Sequence, residues 1–323
     1  MTSLTGDGGV MPATTTVAGT SRRTRRPWLR TFAVGFLLWV ASVLVTFGTG
    51  NSNLIPTIIL LGSFLVPVTF VVYALGHADL VVTPQRIFTA FINGGLLGVL
   101  GASVLEATLL RQPSGLTYLG VGLIEEAVKL AALWLIARRL PHYTMRDGIV
   151  LGAAVGFGFA AFESAGYAFN ALFTSRGVSL LNLVETEVLR GILAPVGHGL
   201  WTAMLGGALF AAAAHRGRLR LTGPVLGWYA LAVGLHALWD ASQGVAVWLT
   251  VLLAGTARQQ RVLNELGFLP IATERQMHLF TALNWTLLAL DALIGVLVLR
   301  VRWRKATALP APGMAVGGNP VIG

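Results

Sequence analysis

The chain has 323 residues, 55% of them hydrophobic and 11% charged, with no cysteine and a formal net charge of +10. That balance belongs to a multi-pass membrane protein and not to a soluble domain. The missing thiols exclude a disulfide framework, a cysteine nucleophile and any Cys-based metal site. The positive excess reads as membrane topology, because no aromatic-interleaved basic groove argues for nucleic acid.

In chain order, residues 1–30 read as a disordered basic tail, a Thr-, Gly- and Ala-rich stretch followed by Arg22, Arg23, Arg25, Arg26 and Arg30. The apolar run over 31–48 predicts a first transmembrane helix; no small-residue cleavage pattern follows it, and it is long for a signal peptide. Further spans are expected at 54–75, 87–110, 116–136, 148–173, 188–214, 222–253 and 278–299. A polar segment fills 256–276, and a Pro/Gly-rich tail over 306–323 reads as disordered. The fold expected is an all-α polytopic bundle of about eight transmembrane helices over 31–305. Both termini are placed in the cytoplasm by the arginines: Arg86, Arg138, Arg139, Arg146, Arg216, Arg218, Arg220 and Arg300 to Lys305 all fall inside. Arg111, Arg176, Arg190, Arg258, Arg261 and Arg275 are left at or near the outer edge.

The run over 116–136 carries the strongest anomaly. About 20 apolar residues at 1.5 Å each span roughly 30 Å of hydrocarbon, yet Glu125, Glu126 and Lys129 lie near the middle of this one. Each costs about 2.5–3.5 kcal/mol on insertion scales, against about 0.3–0.6 returned by each Leu, Ile or Val. This helix does not insert well alone, so neighbours must shelter its polar face, and such residues are functional candidates by default.

The next three spans supply matching groups. Phe159, Glu163 and Tyr167 follow one another at i, i+4 on one face, and Gly152 and Gly156 form a small-xxx-small pair that lets another helix approach. His198 and Thr202, then His236 and Asp240, repeat the i, i+4 spacing, and an aspartate one turn from a histidine is placed to fix its tautomer. Bland readings exist for single members. Glu125 and Lys129 form a plain intrahelical ion pair at this spacing, and a lone intramembrane histidine is often only an interhelical hydrogen-bonder worth about 1 kcal/mol. Glu106 and Asp291 have no partner in the pattern and read as structural, while Glu185 and Glu187 read as helix-start acids that complement the dipole. As a set, carboxylates and imidazoles at comparable depth are what activates water and binds a divalent metal.

Glu125-Glu126-x-x-Lys129, Asp147-Gly148-Ile149 leading to Phe159-x-x-x-Glu163, His198-x-x-x-Thr202 and His236-x-x-Trp239-Asp240 together resemble the PrsW family of intramembrane proteases. That family is distantly similar to the CAAX-processing and bacteriocin-immunity membrane proteases. The resemblance covers 116–244, a protease-like core, and leaves out the first three helices and the 256–276 segment. It implies an endopeptidase of the bacterial plasma membrane that cuts membrane-anchored proteins such as anti-sigma factors, with no nucleic acid and no organic cofactor. It also implies an active site of Glu125, Glu126, Glu163, His198 and His236, with Asp240 orienting His236. Ser164 stands where the family pattern leads one to expect asparagine. The expected chemistry is hydrolysis by activated water, with Glu125 or Glu126 as base and the other as its like-charged neighbour. His198 and His236 either bind a divalent metal such as zinc with Glu163, or donate to the oxyanion; no HExxH is present. Readings from other classes are a non-catalytic membrane scaffold or chaperone that binds partner helices, and a proton-coupled transporter, which inverted repeats would support.

Overall fold

A backbone in lipid must satisfy its own hydrogen bonds, and long apolar runs do so as helices. The computed structural model describes residues 26–76, 82–112, 114–214, 216–268 and 271–308. Of the two tails expected to be disordered, residues 1–25 and 309–323 lie outside the described residues, whereas 27–30 and 306–308 are helical. The helices are α1 (Pro27–Thr49), α2 (Ile55–Gly76), α3 (Pro84–Thr89), α4 (Gly95–Leu109), α5 (Thr117–Ala137), α6 (Met145–Leu172), α7 (Leu180–Leu193), α8 (His198–Ala214), α9 (Gly223–Ala254), α10 (Ala257–Leu266) and α11 (Glu274–Ala308). A π turn over Ala90–Gly94 joins α3 to α4 as one span. The two-residue strands β1 (Phe173–Thr174) and β2 (Gly177–Val178) pair antiparallel, Phe173 opposite Val178.

Among the described residues, seven helical stretches are long and apolar enough to cross a membrane: Pro27–Thr49, Ser52–Gly76, Pro84–Leu109, Met145–Leu172, Leu180–Ala214, Gly223–Ala254 and Glu274–Ala308. The chain is an all-α polytopic membrane protein. α5 has 21 residues and is set apart by its three ionisable residues, which its neighbours enclose: Glu125, Glu126 and Lys129 are all buried.

α6 is the axis of the bundle, buried at nearly every position from Asp147 to Ala161. Its start is fixed by Thr144, whose hydroxyl accepts from the Asp147 N–H at 3.1 Å and donates to the Asp147 carboxylate, while Asp147 Oδ1 accepts from the Val82 N–H at 3.1 Å. The small-xxx-small face packs on α8. A Cβ on Gly152 would run into the Thr202 carbonyl, and one on Gly156 into the His198 carbonyl, so glycine there sets how closely the His198 backbone approaches α6.

Three local departures have identifiable causes. The sixth span, expected as one helix over 188–214, starts at Leu180 and breaks at Ala194–Val196, where Pro195 lacks an N–H to continue the ladder. At the break Ala194 and Val196 are half-buried and Pro195 is exposed, and α8 begins just beyond it at His198. The 256–276 segment contains α10, opened by a Thr256–Gln259 capping box. Glu187 is not a helix-start acid: it lies inside α7, buried, and accepts from Trp39 Nε1 at 2.7 Å.

Candidate active site

The i, i+3 and i, i+4 spacing on α5 closes a buried ion cluster. Lys129 Nζ donates to Glu125 Oε2 at 3.1 Å and to Glu126 Oε1 at 2.9 Å, and the three side chains are 0–7% exposed. The ion pair legible in the sequence therefore forms, but it is not confined to α5. The same ammonium lies 2.8 Å from His198 Nδ1 on α8 and 4.0 Å from the Phe159 ring centroid on α6.

The two histidines are held alike. His236 Nδ1, on α9, lies 3.0 Å from Glu126 Oε1, leaving Nε2 3.6 Å from Glu125 Oε2. His198 Nε2 lies 3.1 Å from Glu163 Oε2, leaving Nδ1 3.9 Å from Glu125 Oε2. Each imidazole is thus engaged through one nitrogen by a carboxylate and turns the other toward the same oxygen. A carboxylate behind an imidazole fixes its tautomer and ring orientation and raises its basicity. Aromatic rings fix the planes further: Trp201 stacks on His236 with centroids 4.8 Å apart and meets His198 edge-on at 5.3 Å, while Phe159 flanks His198 at 5.1 Å.

Glu125, Glu126, Glu163, His198 and His236 are therefore brought together from four helices. Asp240 stands at the rim, 3.5 Å from His236 Nε2 with its side chain 27% exposed. The hydrogen bond that orients His236 comes from Glu126, where the sequence spacing assigned that part to Asp240. The Thr202 hydroxyl is buried and has no partner among the described residues; the same holds for both Asp291 oxygens and for Glu106 Oε1. Arg190 was missed. It donates through Nη2 to Glu163 Oε2 and through Nε to Ser164 Oγ at 2.7 Å, and its guanidinium lies 4.3 Å from the Tyr167 ring centroid. Counting loops had put it at the outer edge, and no local spacing links position 190 to 163. Trp201 had a signal, since it lies three residues after His198 on one helix face.

Donor atoms of Glu125, His198 and His236 all lie within 4.8 Å of one another. Two imidazoles and one carboxylate are a donor set used for catalytic zinc, with one position left for water. Glu163, expected in that trio, sits against the opposite nitrogen of His198 and is shared with Arg190, and the carboxylate whose donor atom lies with the two imidazoles is that of Glu125. Glu126 Oε2 is buried without a partner among the described residues, an open acceptor inside the cluster. Lys129 Nζ already contacts Glu125 Oε2 and His198 Nδ1, so a metal cation would have to share or displace the ammonium there.

No curated protein and no solved structure matches the chain. A family model described as PrsW family intramembrane metalloprotease matches residues 28–260, which takes in every residue of this cluster and the three N-terminal helices that the sequence resemblance left out. The match spans well over half of the chain, and the chain belongs to the PrsW family of intramembrane metalloproteases.

Proposed function

We propose that the protein hydrolyses a peptide bond of a membrane-anchored protein, such as an anti-sigma factor, at a water-activating site built by Glu125, Glu126, Glu163, His198 and His236. The bacterial plasma membrane is the setting we infer, with both termini cytoplasmic. One observation carries the reading: two carboxylate-backed imidazoles place their remaining nitrogens 3.6 and 3.9 Å from one atom, Glu125 Oε2, with Asp240 and Lys129 beside them. Structural packing needs no such convergence, whereas a centre that holds a cation and a water does.

The residues fit a divalent ion. Glu125, His198 and His236 would hold it, with Glu126 behind His236 and Glu163 behind His198. Written with neutral imidazoles and all acids ionised, Glu125, Glu126, Glu163 and Asp240 outnumber the cations Lys129 and Arg190 by two charges, which a divalent ion would balance. When bound, a zinc ion supplies Lewis-acid polarisation of a carbonyl and an acidified water. The chain's own part is to place and receive protons. Glu126 Oε2 is the oxygen free to accept the water proton and to return it to the leaving amide, while His236, hydrogen-bonded to Glu126 Oε1, fixes that carboxylate in place. The enclosing helices exclude bulk water, which strengthens each of these interactions.

A metal-free form of the same reaction has one observation in its favour, the ammonium of Lys129 on the atoms a metal would use. Metal analysis of the purified protein separates the two. We expect about one tightly bound divalent ion per chain, lost in His198→Ala. Metal-free protein that still cleaves would decide for glutamate and water alone.

A further inference from the structure

Arg190 belongs to none of the four motifs that carry the sequence resemblance, yet it is the residue on which Glu163 is anchored. Its element, α7, is a short helix capped by Ser179, whose hydroxyl accepts from the Asn182 N–H, and it packs through buried Leu183 and Glu187. Arg190 follows Glu187 by three positions, so it shares the face turned to the bundle. From there the guanidinium reaches two consecutive residues of α6: Nη2 donates to Glu163 Oε2 and Nε donates to Ser164 Oγ at 2.7 Å. The guanidinium carbon lies over the Tyr167 ring, one turn further along α6.

The same Glu163 oxygen that accepts from Arg190 also faces His198 Nε2 at 3.1 Å. A carboxylate on a helix retains rotamer freedom unless something fixes it, and here only the fork of an arginine spans both acceptors. The Tyr167 ring lies against the guanidinium, and Ser164 supplies an acceptor 2.7 Å from Nε. Arg190 thereby acts on His198 at one remove.

We propose that Arg190, clamped on Glu163 and Ser164 and lying over Tyr167, is a positioning residue that holds Glu163 against His198 Nε2 and so presents Nδ1 to the cluster. This rests on the reading that His198 works in a hydrolytic, cation-holding centre. It assigns α7 a part in building that centre, and it gives Ser164 a function as the second anchor of the guanidinium.

The test uses full-length protein in detergent, Zn²⁺ alone as the probe, and nitrogen-15-labelled histidine to read the His198 tautomer. Outer partners of metal-bound imidazoles are worth roughly 10–100-fold in affinity, and Arg190 lies one step beyond such a partner. Arg190→Gln is therefore expected to weaken Zn²⁺ binding about tenfold and to replace one His198 tautomer with a mixture. Arg190→Lys keeps the charge but cannot engage both acceptors, and falls between it and wild type. Ser164→Ala has a smaller effect of the same kind, and adding it to Arg190→Gln changes nothing further. If Arg190→Gln only lowers the unfolding temperature, with Zn²⁺ affinity and the His198 tautomer as in wild type, Arg190 is a structural tie and the assignment is overturned. If wild type holds no Zn²⁺ but Arg190→Gln still scrambles the tautomer, the metal reading fails while the positioning role stands.

Discussion

Lys129 Nζ lies 2.8 Å from His198 Nδ1, joining residues 69 positions apart inside the membrane domain. This contact explains how α5 keeps three ionisable residues. The two glutamates and the lysine compensate one another along the helix, and the tertiary neighbours finish the polar shell, so lipid never meets the charges. It also makes Lys129 the resident cation of the cluster.

Removing that cation leaves two buried carboxylates without their partner. Breaking a buried ion pair by deleting one member costs about 3–5 kcal/mol. Lys129→Met is expected to lose that order of stability in a thermal unfolding assay, and saturating Zn²⁺ is expected to restore more of it than it adds to wild type. Equal zinc stabilisation in the two proteins would show that the ammonium and the metal do not compete for one place.

The two glutamates separate by role. Glu126→Gln keeps the shape and a hydrogen bond to His236 while removing the base, so cleavage falls by about 10²–10⁴ with bound metal retained. Glu125→Gln loses metal as well as cleavage. Metal content measured alongside proteolysis distinguishes them, and loss of metal in Glu126→Gln alone would reverse the assignment.

Away from the site, Glu187 accepts from Trp39 Nε1 while its Oε1 has no partner among the described residues. A buried carboxylate with an unmade bond is costly, so Glu187→Gln, which keeps an acceptor without a charge, is expected to raise the unfolding temperature. Trp39→Phe removes the only donor to Glu187 among the described residues and is expected to lower stability by about 1–3 kcal/mol. The two variants moving in the same direction would refute this account of the α1–α7 contact.

The side of cleavage follows from arginine bias. On the proposed topology, with both termini inside, α5 runs inward with Glu126 about 15 Å from its start and α6 runs outward with Glu163 past its midpoint, while His236 lies just short of the midpoint of α9. The cut is expected in the outer half of the substrate helix or just beyond it. Mass spectrometry of the new terminus tests this; a cut at the cytoplasmic end would overturn it.

Much of this was legible in the sequence because lipid simplifies the reading. Apolar runs located the long helices, and Glu125, Glu126, Glu163, His198 and His236 stood out as charges or imidazoles where none is expected. What was not legible depended on contacts between helices. Arg190 was indistinguishable from a boundary arginine until α7 was seen to start at Leu180 and to break before His198. Glu163 and Glu125 could not be ranked as ligands, because that depends on which nitrogen of His198 each one faces. Asp240 lay at the right spacing for His236, yet Glu126, 110 positions away, makes the hydrogen bond.

The most direct measurement is a comparison of membrane proteomes from cells carrying wild type or Glu126→Gln as their only copy of the protein. The account predicts at least one membrane-anchored protein that is cut in the first and accumulates full-length in the second. Indistinguishable proteomes, with both proteins present and inserted, would contradict it.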